Sequence, residues 1–325
     1  MPTEIITSLE ELNALEPAWL DLCQRTPGAT PFQTPMWLLP WWRYFGSNDL
    51  AVIASRAGDT LDALAPLYII RDDESDESLG VFLGTGTSDY LDVLGDAAAV
   101  IDDMTCLDCQ LWDLHQLPPS SSMLSVPLPS GWSDNVEDHQ PCPVLTIDGA
   151  GEELQNLVST HFRKKIRYYR RSLQRIGEIR IETATPETLD ALLTSLFELH
   201  GARWQRRDLP GLLADPNTQQ FHREVAPRML NAGMLRMYAI RCDERIVAVF
   251  YGFALHETVY YYLSGYDPDL EKLSIGNILV AHAVEQAVRD GATSFDFLRG
   301  AEEYKYAWGA TDRMNKRRQL FQLSS

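Results

Sequence analysis

The chain has 325 residues, 45% of them hydrophobic and 23% charged, which is typical of a globular protein and excludes wholesale disorder. This length predicts two domains of ordinary size, each able to bury its own core. The net charge of −18 is uneven: residues 1–150 carry 24 acidic residues against four arginines and no lysine, whereas residues 151–325 carry 24 basic and 22 acidic residues. We expect the acidic half to repel anionic membranes and nucleic acid, which argues against DNA as a partner. The other half can offer local basic patches to an anionic ligand.

The five cysteines are irregularly spaced, so they imply no disulfide framework. Cys106 and Cys109 form a CxxC pair without a second pair at zinc-ribbon spacing, and we expect thiols rather than a metal site. The N-terminal segment lacks the basic start and apolar core of a signal peptide. No apolar run approaches the ~20 residues that span a bilayer. These features predict a cytoplasmic protein with no metal and no transmembrane segment.

The first half begins with signals for two helices and a hairpin. Ser8 with Glu11 three residues later is a capping box, which predicts the start of an amphipathic helix. Pro35 follows a threonine at the start of a second helix rich in tryptophan, an aromatic stripe typical of a core. Two strands then flank Gly58, and Pro66 interrupts the second of them.

The segment at 84–94, GTGTSDYLDVL, is the distinctive part of the first half. Its GxG lacks the βαβ context of a dinucleotide-binding fingerprint, so we reject that interpretation. Asp89 and Tyr90 stand at the entrance of a strand, where a solvated turn and a substrate contact are both open. A stretch rich in Pro, Ser, Gly and Asp at 129–143 predicts the linker between the domains.

The second half opens with a predicted helix at 152–176 that is dense in positive charge. Its basic residues are Arg163, Lys164, Lys165, Arg167, Arg170, Arg171 and Arg175. One interpretation is a solvated helical face. The other is an electropositive wall that faces a phosphorylated ligand or an anionic glycan precursor.

A helix predicted to start at Pro186 places His200, Arg203 and Trp204 near its end, with Arg206 and Arg207 after them. A histidine at such a position is often structural, but its ordinary pKa near 6.5 also suits a proton acceptor. A further helix is predicted next. Three strands, up to residue 264, then follow as an antiparallel meander.

The stretch from Gly265 to Trp308 carries the strongest functional signal. Ser274 and Gly276 lie in a loop before a predicted helix at 278–288, and a strand is predicted at 292–298. Amides at a helix start are unpaired, the helix dipole adds positive potential, and a glycine lets a phosphate approach the backbone. The arrangement predicts an anion-binding loop.

Polar, charged and aromatic residues cluster just after this strand, in FDFLRG and EEYKYAW. Together with SIGNILV, LHGARW, SDYLDVLG and TPFQTPMWLLPWWRYFG, these segments resemble the CelD/BcsL-type acyltransferases over nearly the whole chain. That group is a branch of the GNAT acetyltransferase superfamily and is akin to the tandem-GNAT FemAB aminoacyltransferases.

The resemblance implies an α/β (α+β) fold of two tandem GNAT-like domains, at 1–143 and 144–325, each a mixed, mostly antiparallel sheet flanked by helices. It implies an N- or O-acyltransferase that moves an acetyl or acyl group from acetyl-CoA or another acyl-CoA to an amine or hydroxyl acceptor. The setting it suggests is polysaccharide or cell-envelope biosynthesis. The acceptor stays open among a sugar, a lipid-linked sugar, a peptidoglycan peptide and a small amine.

Within this resemblance we assign candidate roles by chemistry. Donor phosphates would contact Ser274, Gly276, Asn277 and Arg299. The proton acceptor would be His200 or Glu303, the proton donor to the leaving thiolate would be Tyr304, and Lys305 would clamp or stabilise negative charge. Acceptor contacts are assigned to Asp89, Tyr90, Trp204 and Asp296.

Two alternatives remain open. The loop at Lys272 departs from the Arg/Gln-x-x-Gly-x-Gly/Ala pattern common in GNAT proteins, so a FemAB-like transferase that uses aminoacyl-tRNA as its donor is the first. A catalytically silent GNAT-fold protein that serves as a binding or scaffold subunit is the second.

Overall fold

The computed structural model describes residues 2–72, 77–147 and 157–323. The chain divides into two compact units, Met1–Pro141 with Arg313–Ser325, and Cys142–Asp312. This division lies two residues before the expected domain boundary at 143. Residues 313–325 belong to the first unit, although the predicted boundary places them in the second domain.

The helices are α1 (Leu9–Ala14), α2 (Glu16–Arg25), α3 (Pro35–Phe45), α4 (Ile101–Cys106), α5 (Thr160–Leu173), α6 (Leu189–Gln205), α7 (Pro216–Asn231), α8 (Ile275–Arg289) and α9 (Glu303–Tyr306). The strands are β1 (Thr3–Ile6), β2 (Asp49–Leu50), β3 (Val52–Ala57), β4 (Thr60–Ala65), β5 (Leu67–Arg71), β6 (Ser78–Phe82), β7 (Leu111–Leu117), β8 (Trp132–Thr146), β9 (Ile179–Thr183), β10 (Leu235–Cys242), β11 (Arg245–Leu255), β12 (Thr258–Tyr266), β13 (Ser294–Asp296) and β14 (Thr311–Gln322).

Local signals in the first unit act as predicted. The Ser8 side chain accepts a hydrogen bond from the Glu11 amide, and Pro35 is the first residue of α3. Pro66 lies between β4 and β5, which belong to different sheets. One sheet has the order β1-β3-β4, and the larger one follows β2-β5-β6-β7-β14-β8 within this unit. The strand pairs β1–β3, β3–β4, β2–β5, β5–β6 and β7–β14 are antiparallel, and β6 pairs with β7 in parallel.

The linker predicted at 129–143 is wrong, because most of it forms β8. The polar composition that suggested a linker is compensated by charge pairs with β14, which is distant in sequence. Arg317 lies 3.1 Å from Glu137, and Arg318 lies 2.7 Å from Asp134. Because β14 pairs with β7 and stands beside β8, the C-terminal residues return to the first unit.

The second unit contains a sheet of order β8-β13-β12-β11-β10-β9, in which only β12 and β13 pair in parallel. Phe250 belongs to the core that includes α5 and α8, whereas Tyr251 contacts His222 of α7. Successive side chains of a strand point to opposite faces, so helices cover both faces of this sheet. Both units therefore have the predicted mixed, mostly antiparallel sheet with helices.

The predicted elements of the second unit are confirmed with shifted ends. The basic helix α5 covers Thr160–Leu173, and residues 152–156 of its predicted span lie outside the described residues. The meander is β10, β11 and β12, and α8 starts three residues earlier than predicted. The strand predicted at 292–298 ends at Asp296, because Leu298 has a φ of 60° and leaves the extended conformation.

Candidate functional site

The site begins where β12 and β13 separate. The two strands pair only at residues 258–260 of β12, which then continues for six residues to Tyr266. Among the described residues, no strand pairs with this later part of β12 on the β13 side. The edge therefore offers backbone groups to an extended ligand in the manner of an added strand.

Helix α6 packs unusually close to this end of β12. A Cβ on Gly265 would lie 2.8 Å from the His200 amide nitrogen and 2.9 Å from the Leu196 carbonyl oxygen, which leaves room only for glycine. A glycine inside a strand often marks such a close backbone approach. The contact brings the last turns of α6 next to the open part of β12.

The start of α8 supplies unpaired amides. Ser274 has a φ of 46° and makes no side-chain cap, and its carbonyl accepts from the amides of Asn277 and Ile278. The amides of Ile275 and Gly276 donate to no acceptor among the described residues. A Cβ on Gly276 would meet only the Tyr266 ring, at 3.5 Å. This helix start can thus receive an anion, aided by the helix dipole.

Arg203 is the cation of the site. Its guanidinium carbon lies 4.8 Å from the centre of the Tyr266 ring, the same ring that borders Gly276. Within the described part of the chain, it forms no ion pair, and its buried Nε has no hydrogen-bond acceptor. A cation held on an aromatic ring with unused donors is suited to a negatively charged ligand.

Three hydroxyl groups lie beside Arg203, those of Tyr304, Tyr261 and Ser264, and we call them the hydroxyl chain. The Tyr261 hydroxyl lies 2.5 Å from Ser264 Oγ, and the Tyr304 ring packs edge-on against the Tyr261 ring, with 6.5 Å between the ring centres. Burial raises the pKa of both tyrosines, and the positive charge of Arg203 partly opposes the rise. Both hydroxyls therefore stay protonated at neutral pH and can donate hydrogen bonds.

His200 does not fit the predicted role of proton acceptor. It is 4% exposed, and its Nε2 accepts a hydrogen bond from Trp204 Nε1 at 2.9 Å. Burial, with a smaller contribution from Arg203, lowers its pKa to about 4. With that lone pair occupied, the proton of the neutral ring lies on Nδ1, which has no acceptor in the described residues. His200 is therefore a neutral residue that positions Trp204.

Lys305 anchors the loop after β13. It is 2% exposed, and its ammonium donates to the carbonyls of Leu298, Arg299 and Gly300 at 3.0, 2.6 and 3.1 Å. Glu302 also lies 2.9 Å from it. These contacts occupy all three of its donors, which disfavours the predicted anion clamp.

Asp296 fixes the other side of the same loop. It is fully buried, and its Oδ1 accepts the Leu298 amide at 2.7 Å. Leu298 at a φ of 60° is a costly conformation for a leucine, and the contacts of Asp296 and Lys305 hold it. Asp296 thus shapes the loop rather than facing a ligand.

The remaining predicted residues are dispersed. Glu303 is exposed in the first turn of α9, and Asn277 lies in the first turn of α8. The backbone of Arg299 belongs to the loop held by Lys305. Asp89 and Tyr90 lie in the first unit, where both are buried and the Asp89 carbonyl accepts from Asn315.

A separate open pocket of about 600 Å³ lies on another face of α6. Its charged lining includes Arg206 and Arg245, which pair with Asp269 and Asp267 respectively. It contains neither Arg203 nor His200. We therefore place the candidate site at the open end of β12 instead.

Two general findings concern the described residues only. No group of three or more His, Cys, Asp or Glu side chains there could hold a metal ion. None of the helices there combines the length and apolarity needed to cross a bilayer.

Sequence reasoning missed the residues that link these parts: Tyr261, Ser264, Gly265 and Tyr266 of β12, and the role of Arg203. A readable signal existed in Gly265, since glycine in a strand pattern suggests a close contact. The unused donors of Arg203 depend on its neighbours in space and leave no local signal.

The structure is similar in fold to several solved proteins, and part of the chain matches a family model. The structure is similar to the crystal structure of FemX (TM-score 0.69, 11% identity, 98% of this chain and 97% of that one). It is also similar to a conserved protein of unknown function from Bacteroides thetaiotaomicron VPI-5482 (TM-score 0.63, 14% identity, 99% of this chain and 100% of that one). A third similar structure is L-PGS from Bacillus licheniformis (TM-score 0.55, 12% identity, 89% of this chain and 92% of that one). At these identities the likeness concerns the fold, and it extends over both units.

No curated protein matches the chain. Residues 160–306 match the family model described as acetyltransferase (GNAT) domain, and they lie within the second unit. The match thus covers most of the second unit.

Proposed function

We propose that the protein is an N- or O-acyltransferase that moves an acyl group from acetyl-CoA or another acyl-CoA to an amine or hydroxyl acceptor. One observation carries the proposal. Unpaired amides at Ile275 and Gly276, the cation Arg203 and the hydroxyl chain of Tyr304 meet around the open end of β12. An acyl donor with phosphates, amides and a thioester has a matching group for each.

Donor binding would use main-chain groups for most contacts. The amides of Ile275 and Gly276 would donate to phosphate oxygens, and the missing Cβ at Gly276 leaves the approach open. Arg203 would add a charged contact, since guanidinium groups suit phosphate oxygens. The amide-bearing arm of an acyl-CoA would lie along the unpaired edge of β12.

Acyl transfer requires a nucleophile to attack the thioester carbonyl, and negative charge then develops on oxygen and later on sulfur. The hydroxyl chain would stabilise this charge through hydrogen bonds, and Arg203 would stabilise it through the electric field of its positive charge. An ordinary thiol has a pKa near 8.5. Because the pKa of Tyr304 is raised, its complete proton transfer to a thiolate is unfavourable, and we assign it a hydrogen-bonding role. Glu303 is the retained candidate for proton acceptor.

The acceptor class rests on the motifs of the sequence. FDFLRG and EEYKYAW resemble the CelD/BcsL-type acyltransferases, and we therefore propose an acceptor in polysaccharide or cell-envelope biosynthesis, in a cytoplasmic setting. The half-buried Trp204, held by His200, is a candidate contact for that acceptor. Asp89 and Tyr90 are retained as acceptor contacts that a substitution can test.

The test is calorimetric titration with acetyl-CoA, followed by a thiol-release assay with amine and hydroxyl acceptors. Arg203→Ala should weaken donor binding by roughly 30-fold, because a hydrogen bond to a charged group contributes about 2 kcal/mol. Arg206→Ala is the matched control: Arg206 lies on the same helix but pairs with Asp269. Equal losses in both variants, or no binding of any acyl-CoA, would contradict the proposal.

A second candidate donor is aminoacyl-tRNA, which the similarity of the fold to FemX favours. In that case acyl-CoA would not bind, and charged tRNA would bind with a steep salt dependence. Arg203→Ala would then weaken tRNA binding while Arg206→Ala would not. The same pair of variants thus identifies the donor.

A further inference from the structure

The most one-sided charge of the molecule lies on α5 and the turn that follows it. From Leu157 to Gly177 the chain contains seven Arg and Lys residues and no Asp or Glu, in a protein whose net charge is −18. This concentration is not used by the site at the end of β12. It therefore calls for a separate explanation.

Packing turns this charge outward. Phe162, Ile166 and Leu173 are buried in the core that includes α8. Lys164, Tyr168 and Arg171 follow at spacings of four and three residues, which places them on one line along the helix, opposite Ile166. All three are exposed.

Ion pairing within the described residues reaches few of these cations. Arg170 pairs with Glu285, at 2.9 Å. Among the described residues, no carboxylate pairs with Lys164, Arg167, Arg171 or Arg175. Like charges one helical turn apart, such as Arg167 and Arg171, destabilise a helix. A surface that costs helix stability and has no partner of its own favours an external anionic one.

Exposed apolar side chains stand among these cations. Tyr168 is 62% exposed and Ile176 is 47% exposed, and both rank with the large hydrophobic residues most exposed in the described chain. A phosphate backbone offers no contact that rewards an exposed isoleucine. A lipid surface does, since basic segments with aromatic and aliphatic residues bind at the boundary between headgroups and acyl chains.

We propose that this surface docks on a membrane rich in anionic lipid headgroups. We call it the basic face, defined by Lys164, Arg167, Tyr168, Arg171, Arg175 and Ile176. The cations contact headgroup phosphates, and Tyr168 and Ile176 enter the interface. The interaction is peripheral and reversible, and it falls with ionic strength because headgroup attraction is screened. It does not depend on the acyl-transfer reaction.

The experiment is sedimentation of the full chain with large unilamellar vesicles, either of phosphatidylcholine alone or with 40% phosphatidylglycerol. We expect binding to the anionic vesicles only, weakened at least tenfold by high salt. The variant K164Q/R167Q/R171Q should lower the partition coefficient by roughly 100-fold, since each basic residue near such a surface contributes about fivefold.

The control R25Q/R56Q/R71Q changes the net charge equally, but its arginines pair with carboxylates in the first unit. It should bind within about twofold of the wild type. Equal loss in the two triple variants would overturn the proposal, because binding would then follow net charge alone.

Two further measurements separate a lipid surface from RNA. Ile176→Ser should weaken vesicle binding several-fold at every salt concentration, since it removes apolar contact and no charge. A fluorescent RNA of tRNA size should bind weakly by comparison. Tight RNA binding through the basic face without vesicle binding, or unchanged vesicle binding of Ile176→Ser, would contradict the proposal.

Discussion

Arg318 of the first unit is buried and Arg203 of the second is half-buried, and their donors are used differently. Arg318 is 3% exposed and donates to Asp134 and to the carbonyls of Met123 and Val126. Arg203 stacks on Tyr266 and has a buried Nε with no acceptor in the described residues. The first arrangement is complete without a ligand, whereas the second gains contacts only when an anion arrives.

The same contrast separates other polar groups. Asp92 of the first unit accepts from Ser121 Oγ at 2.6 Å and from the Val93 amide at 2.8 Å. Lys305 of the second unit also has all its donors in use. By this criterion Lys305 is structural although it lies in the most conspicuous motif, while the unpaired amides of Ile275 and Gly276 are available to a ligand. The donors of Lys305 therefore hold its loop, and the amides at the start of α8 are left for a ligand.

The largest expected effect is the loss of stability in Arg318→Met. Losing this buried guanidinium costs about 4 kcal/mol of unfolding free energy, chiefly because the carbonyls of Met123 and Val126 lose their donor. Urea denaturation measures this cost. Arg317→Met is the control on the same strand; Arg317 is 31% exposed and should cost about 1 kcal/mol. Similar losses in the two variants would contradict a structural role specific to Arg318.

Lys305→Met should lower the unfolding free energy by about 3 kcal/mol, since three loop carbonyls would lose their donor. The partly exposed Lys316→Met serves as the control and should change it by less than about 1 kcal/mol. If Lys305→Met folds with full stability and loses only turnover, Lys305 returns to the catalytic residues and the comparison fails.

The two units should depend on pH in opposite directions. Burial lowers the pKa of His200 from 6.5 to about 4, so the unfolded state binds a proton first and stability falls as the pH drops from 6.5 towards 4. Burial raises the pKa of Asp92 from 3.8 to about 7. Its contribution is therefore present below pH 3.8 and is lost as the pH rises through 7. Each pKa unit corresponds to about 1.4 kcal/mol.

Denaturation at pH 4 to 8 can separate the two contributions. Between pH 4 and 6.5 the two contributions have opposite slopes. His200→Gln should therefore make the unfolding free energy fall more steeply as the pH rises, and Asp92→Asn should make it rise more steeply. The informative quantity is the slope of the unfolding free energy against pH, which is independent of the overall stability of each variant. Slopes identical to that of the wild type would show that neither group is buried as described.

A smaller effect is expected for Tyr304→Phe, and it rests on the proposed function. Loss of one hydroxyl from the chain with Tyr261 and Ser264 should lower kcat about tenfold, equivalent to about 1.4 kcal/mol, with donor affinity and stability unchanged. Tyr306→Phe is the control, because Tyr306 lies on the same short helix as Tyr304 but its hydroxyl donates to Asp312 of β14. Unchanged turnover in Tyr304→Phe would remove this residue from the site.

Much of the fold could be predicted from local sequence signals. Ser8, Pro35 and the apolar periodicity of α8 depend on residues within one or two helical turns. The strand β8 was missed because its acidic residues are compensated by Arg317 and Arg318, about 180 positions away. Long-range pairing of this kind is invisible to composition.

The site was predicted in location more than in chemistry. Gly276 and its helix start emerged from a local rule about anion binding. The roles predicted for His200 and Lys305 are disfavoured by an occupied lone pair and by occupied donors, which depend on Trp204 and on a folded loop. Arg203 was noticed as a charge but not as a site residue, since only the structure shows that it stacks on Tyr266 with a buried Nε that has no acceptor among the described residues.

The central claim is that the amides at the start of α8 bind the donor, and their NMR signals test it most directly. In protein labelled with ¹⁵N-glycine, the Gly276 signal can be assigned by its loss in Gly276→Ala. We predict that acetyl-CoA shifts the Gly276 amide proton downfield, as expected when it begins to donate to phosphate, while Gly58 of the first unit stays unchanged. Saturation with a donor that leaves the Gly276 signal in place would contradict the account.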